Sequence, residues 1–164
     1  MIELHPITPL LTAEYKAVRL RALQDAPLAF GSTYARESRF TDEEWSGRAT
    51  NLDGEKAIGL LSSSDNSYTG IAVCFLDEND GSLAHLYSMW VDPGMRRYGV
   101  GKRLVTAIEQ WASAHQAKTL QLMVTNINNS AMAFYERLGF AKTGRTEPYP
   151  NDPALIEYEM TKSI

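Results

Sequence analysis

The chain has 164 residues, 44% of them hydrophobic and 22% charged, with a formal net charge of −4 and a pI near 5.4. That is one domain's length, sufficient to bury a core without disulfides or metal, and its acidity argues against a nucleic-acid partner, which needs a basic face. Cys74 is the only cysteine, which excludes an internal disulfide and a Cys-based zinc site, and His5, His85 and His115 are too few to suggest a metal cluster.

The N-terminal stretch MIELHPITPL has no basic leader and no signal-type apolar run. No apolar stretch approaches the roughly 18 residues of a spanning helix. The expectation is a cytoplasmic protein without a membrane partner. Thr12 is placed to cap a helix from Ala13 to about Gln24, with Tyr15, Val18 and Leu23 loosely on one face, and Ala26-Pro27 breaks it. Thr41 and Glu44 have capping-box spacing, which predicts a short helix through Trp45. Lys56 to Leu61 and Tyr68 to Leu76 read as strands around a hairpin with Asp65-Asn66 at its tip. A second turn from Asp77 to Ser82 leads to a strand from Leu83 to Val91, stopped by Asp92-Pro93-Gly94.

The clearest helix runs from about Gly99 to Ala117, with Val100, Leu104, Val105, Ile108, Trp111 and Ala112 in one apolar stripe. Leu120 to Thr125 is a short strand. Asn128 or Asn129 caps a helix through Arg137, and Gly139 ends it. Leu155 to Thr161 alternates as a last strand. This order predicts one α/β domain over 1–164. Its central sheet is mixed and mostly antiparallel, with helices flanking it. The strands from Leu83 and Leu120, joined by the long helix, should be parallel.

Arg96-Arg97-Tyr98-Gly99-Val100-Gly101-Lys102 lies between a strand and that helix. Unpaired N–H groups at a helix start, the helix dipole and two nearby glycines suit a phosphate or pyrophosphate. A P-loop would need glycine at Arg96 and a hydroxyl at Arg103, and a dinucleotide fingerprint would need a small residue at Leu104; both readings fail. A glycine-rich turn with basic residues exposed by chance is the bland alternative.

The segment from Arg96 to Gly101 resembles the acetyl-coenzyme A signature of the GCN5-related N-acetyltransferase (GNAT) superfamily, Arg/Gln-x-x-Gly-x-Gly/Ala. The stretch from Met89 to Pro93 matches the strand end that precedes it. A second block, Asn128-Asn129-Ser130-Ala131-Met132-Ala133-Phe134-Tyr135 followed by Gly139-Phe140, is similar to the family's Asn-x-x-Ala-x-x-Leu/Phe-Tyr and Gly-Phe. The resemblance runs from about Leu83 to Phe140 and implies a GNAT fold in which two parallel strands splay around pantetheine. It implies that Met89, Trp90 and Val91 pair through their backbone with the pantetheine. It further implies that Arg96, Arg97, Tyr98, Gly99, Val100, Gly101 and Lys102 hold the pyrophosphate, and that Asn128 adds a cofactor contact. Tyr135 would be the acid that protonates the departing thiolate, while Phe134 is expected in the core.

The implied activity is acetyl transfer from acetyl-CoA, as cosubstrate, to a primary amine of a small molecule or peptide by direct attack. No metal is needed, and a homodimer would be ordinary for the type. Many relatives place a glutamate base at the position of Met123, which cannot serve. The candidates are then His85, Tyr87, Glu37, Glu157 and Glu159, or no dedicated base. The acceptor side is expected from Leu28 to Trp45, the second hairpin and the loop from Thr146 to Pro153, with Tyr149 offering an aromatic face to a cation. Glu37, Glu43 and Glu44 also suit an amine, or form a solvated helix face. Cys74 lies outside the motifs, against an acetyl-cysteine route. A catalytically silent acyl-CoA-binding module on the same fold is the alternative. Longer acyl chains and hydroxyl acceptors stay open.

Overall fold

The computed structural model describes residues 1–164. Strand β1 (Glu3–Pro6) leads through a 3-10 turn to helix α1 (Thr12–Asp25), a second 3-10 turn at Pro27–Ala29, and helices α2 (Tyr34–Glu37) and α3 (Asp42–Thr50). Strands β2 (Ala57–Ser64), β3 (Ser67–Leu76) and β4 (Leu83–Val91) follow. Helix α4 (Val100–Ala114), strand β5 (Thr119–Thr125), helix α5 (Asn129–Arg137) and strands β6 (Ala141–Pro148) and β7 (Ile156–Ser163) complete the chain. The expected mixed α/β architecture is present as one seven-stranded sheet in the order β1-β2-β3-β4-β5-β7-β6. Only β4 and β5 run parallel.

Local chemistry explains most boundaries. Asp65 and Asn66 both take positive φ, the tight-turn geometry that small polar residues tolerate between β2 and β3. The Thr41–Glu44 capping box forms in both directions at the start of α3. Asn128 caps α5 by accepting from the Ala131 N–H, and Gly139 follows the helix at φ +98°. Thr12 does not act as the cap of α1. It is the first helical residue, and its hydroxyl donates to the Pro9 carbonyl, because the 3-10 turn already feeds the chain into the helix. Helix α4 also ends three residues before Ala117, with Gln116 in the left-handed region.

Two cores lie on opposite faces of the sheet. One packs Val100, Leu104, Val105 and Ile108 of α4 and Met132 and Tyr135 of α5 on Ala84, Leu86, Leu120, Leu122 and Met160. The other packs Tyr15, Val18 and Leu23 of α1 and Trp45 of α3 on Leu61, Ile71 and Trp90. Strand β6 is a departure from the sequence reading, which placed a loop from Thr146 to Pro153. The strand continues to Pro148, and every one of its residues is exposed. An edge strand with no buried face carries no apolar alternation to reveal it.

Candidate active site

Strands β4 and β5 pair at only three positions, Leu83 with Thr119, Ala84 with Leu120 and His85 with Gln121. Beyond His85 they separate. β5 pairs with β7 as far as Thr125, and β4 pairs with β3 as far as Val91. A slot therefore opens in the middle of the sheet. At its edge β4 carries a bulge: Tyr87 pairs with Val73 and Trp90 with Ile71, so Ser88 and Met89 face the single residue Ala72. Ser88 sits at φ +54°, and its hydroxyl accepts from Arg19 at 3.2 Å. The bulge flips the side-chain alternation. Leu86 points to the α4 core and Trp90 to the α1 core.

At the mouth of the slot, the chain turns through Pro93–Met95 into α4. Gly99 precedes the helix at φ +84°, and Arg97 also takes positive φ, at +72°. The first N–H groups of α4 therefore point out of a tight, exposed turn, flanked by the exposed side chains of Arg97, Tyr98 and Lys102. Arg96 differs. Its guanidinium donates to Asp25 at 2.6 Å and to the Val91 carbonyl at 2.9 Å, and its N–H caps the 3-10 turn on the Pro93 carbonyl. Asp25 also accepts from the Trp90 indole at 2.9 Å, and Arg21 pairs with Asp92. Two ion pairs thus tie the outer face of α1 to the turn. Gly101 has a second reason to be glycine. A Cβ there would lie 2.9 Å from Phe134 and 3.3 Å from Met89. Its bareness lets α5 close on the start of α4.

Tyr135 on α5 is 8% exposed in the α4-side core, its ring against Phe134 and Phe140. Burial alone pushes its phenol well above the usual range, and no hydrogen bond opposes this. It stays protonated at neutral pH. Phe134 packs on the edge of the α4 core, as the sequence suggested.

The opposite face of the slot carries the groups the sequence left as base candidates. Glu37 is not available. It is fully buried between Arg19, at 2.8 Å, and Arg48, at 2.7 Å. Burial would raise its pKa, but the hydrogen bonds and charges of the two arginines outweigh that and hold it below the ordinary range. His85 is bonded to Asp77 at 2.9 Å and stacked on Phe75. Glu159, opposite Met123 in the register, accepts from Thr143 at 2.9 Å and pairs with Arg145. Tyr87 is half-exposed and stacked on Phe75, 4.9 Å between ring centroids. Glu157 sits opposite both Thr125 and Glu147.

Tyr149 does not offer an aromatic face. It is fully buried, and its hydroxyl donates to the carbonyls of Phe30 at 2.5 Å and Pro27 at 3.1 Å. Asn151 donates to the Phe30 and Ser32 carbonyls, and Thr125 to the Leu28 carbonyl. These bonds clasp residues 27–32 over the open end of the slot. Nothing local marks them, because each joins residues about a hundred positions apart. No helix is long and apolar enough to cross a membrane.

A family model described as "Acetyltransferase (GNAT) family" matches residues 19–140. A [Ribosomal protein bS18]-alanine N-acetyltransferase of Haemophilus ducreyi is 33% identical over 110 residues, covering 65% of this chain and 72% of that protein. The crystal structure of an acetyltransferase of the GNAT family from Streptococcus pneumoniae superposes with a TM-score of 0.83 at 22% identity, over 100% of this chain and 99% of that one. A PaiA N-acetyltransferase from Thermoplasma acidophilum, solved in complex with coenzyme A, superposes at 0.79 with 16% identity, over 100% and 99% of the two chains.

Proposed function

The chain belongs to the GNAT acetyltransferase family, and from that premise we propose that it moves the acetyl group of acetyl-CoA to a primary amine by direct attack, with residues 1–164 acting as one catalytic domain. The observation that carries this reading is the slot between β4 and β5, which opens after three paired positions beside the exposed start of α4. Backbone groups of Met89, Trp90 and Val91 line its β4 edge and suit the pantetheine amides, as an added strand would. The bulge at Ser88 and Met89 suits the thioester carbonyl, whose developing negative charge a nearby N–H would stabilise. Backbone N–H groups from Arg97 to Lys102, with the side chains of Arg97 and Lys102, suit the pyrophosphate. The Asn128 side chain is engaged as the cap of α5, and in this reading it adds a cofactor contact.

Tyr135 is the general acid in this reading. The acceptor nitrogen attacks the carbonyl carbon, the C–S bond breaks, and the thiolate takes the phenolic proton. Burial keeps this phenol protonated at physiological pH, so the acid form is present when the thiolate leaves. The acceptor is a protein or peptide amine, or a small-molecule amine. The Haemophilus relative is named for an alanine of a ribosomal protein, which supports the first.

The test is thermal unfolding with acetyl-CoA against ADP as a charge-matched control, followed by thiol release with an amine panel. Ligand at 100 times its dissociation constant contributes about 2.7 kcal/mol, a rise of roughly 5 to 10 °C for this chain length. A shift specific to acetyl-CoA, with thiol release on adding amine, is expected. No shift at millimolar ligand would refute the reading. A shift without transfer to any amine would favour a silent binding module.

A further inference from the structure

The amine must lose a proton before it can attack, and Met123 stands where a carboxylate would be convenient. Of the acidic side chains around the slot, most are committed to a cation or a hydroxyl. Glu37 is held by Arg19 and Arg48, Glu159 by Thr143 and Arg145, Asp77 by His85, and Asp25 by Arg96 and Trp90. Glu157 and its cross-strand neighbour Glu147 have neither a hydrogen-bond donor nor a cation; around Glu157 there are only burial and the charge of Glu147.

Its position is specific. In the β5–β7 ladder Glu157 lies opposite Thr125, the last paired residue of β5, at the open end of the slot. Alternation along β7 sends Tyr158 and Met160 to the α4 core, and so turns Glu157 to the opposite face. Tyr87 comes onto that face from β4, one residue before the bulge, with its hydroxyl in the field of both Glu157 and Glu147. Directly opposed residues have Cβ atoms about 5 Å apart, which places Glu147 within charge contact of Glu157.

Resting on the transfer reading above, we propose that Glu157 receives the ammonium group of a cationic acceptor and takes its proton, with Tyr87 as the aromatic wall of that seat and Glu147 at its rim. The carboxylate accepts one ammonium proton and passes it to solvent. The freed nitrogen lone pair forms the C–N bond as the C–S bond breaks. The second nitrogen proton replaces the one Tyr135 gives to the thiolate. A bound cation also relieves the repulsion between Glu147 and Glu157, which an empty seat leaves uncompensated. A neutral or anionic acceptor lacks that gain.

The groups facing Glu157 define its pH behaviour. Glu147 faces it from β6, Tyr87 from β4 and Tyr149 from the β6–β7 connection, where Asp152 also lies near Tyr149; the β5 neighbour, Thr125, does not titrate. Burial, then the Glu147 charge, raise the Glu157 pKa. Its base form is therefore lost on acidification earlier than for an ordinary glutamate.

The test uses the whole chain loaded with acetyl-CoA and n-butylamine as probe. Glu157→Gln should lower kcat/KM for thiol release by about 100-fold or more and erase the acidic limb of its pH profile. Glu147→Gln should move that limb to lower pH and raise the KM for n-butylamine. A second readout needs no turnover: carbon-13 NMR of labelled glutamate carboxylates. The Glu157 resonance, assigned by its loss in Glu157→Gln, should titrate above the ordinary range and shift on adding the amine. A normal profile in Glu157→Gln, with transfer intact, overturns the proposal while the transfer reading stands. If no amine is acetylated, the transfer reading fails, and a Glu157 resonance indifferent to n-butylamine overturns the seat as well.

Discussion

Tyr135 and Glu37 show how burial acts differently on two ionisable side chains. Tyr135 has no partner, so desolvation keeps its proton on. Replacing it with phenylalanine removes the proton and preserves the packing against Phe134 and Phe140. Steady-state kinetics of Tyr135→Phe should show kcat lower by about 10²- to 10⁴-fold, with the acetyl-CoA KM and the melting temperature nearly unchanged. Glu37 is as deeply buried but paired on both sides, and its proton stays off. Its folded pKa lies below the unfolded value near 4.5. The stability it contributes is therefore present above that value and lost as pH falls through the folded pKa. Glu37→Gln leaves the buried Arg19 without its counter-charge and should cost about 3 to 5 kcal/mol at neutral pH. Denaturant titrations should show the gap between variant and wild type closing below pH 4.5. A sequence cannot distinguish these fates. Glu37 suited an amine on paper because nothing near it in the chain announces Arg19 and Arg48.

At the scale of elements, the turn into α4 reads well from local chemistry because its demands are local. A left-handed residue must precede the helix, and Gly99 supplies it. Gly101 answers to a different element. Its missing side chain makes room for Phe134 of α5. Gly101→Ala should therefore destabilise by about 1 to 3 kcal/mol through overpacking, measured by thermal or chemical unfolding. Adding Phe134→Leu should recover part of that loss, a coupling that independent sites would not show. Strand β6 was missed for the converse reason: lying exposed at the edge of the sheet, it leaves no hydrophobic pattern. Strands β2, β3 and β4 and helices α4 and α5 each bury one face or carry a strong cap, and each appears in the sequence close to its observed bounds.

At the scale of the molecule, the slot is a property of the whole sheet. It exists because β4 keeps its pairing with β3 while β5 keeps its pairing with β7. Residues 27–32 then cross the open end, held by Thr125, Tyr149 and Asn151. Tyr149→Phe removes the hydroxyl donor from the Pro27 carbonyl and from the buried Phe30 carbonyl. It should cost about 1 to 3 kcal/mol and speed amide hydrogen exchange in residues 27–32. If residues 27–32 border the acceptor, as the sequence reading expects, the acceptor KM should rise while the acetyl-CoA KM holds. The sequence by itself determined the mixed α/β plan, the phosphate-suited turn before α4 and the two GNAT blocks, since periodicity, caps and turn residues act over a few neighbouring positions. Only the tertiary structure decided which carboxylates are neutralised, that Tyr149 is a clasp and not an exposed face, and that Glu157 stands free beside the slot. Burial and charge pairing are set by residues distant in sequence, and no local pattern encodes them.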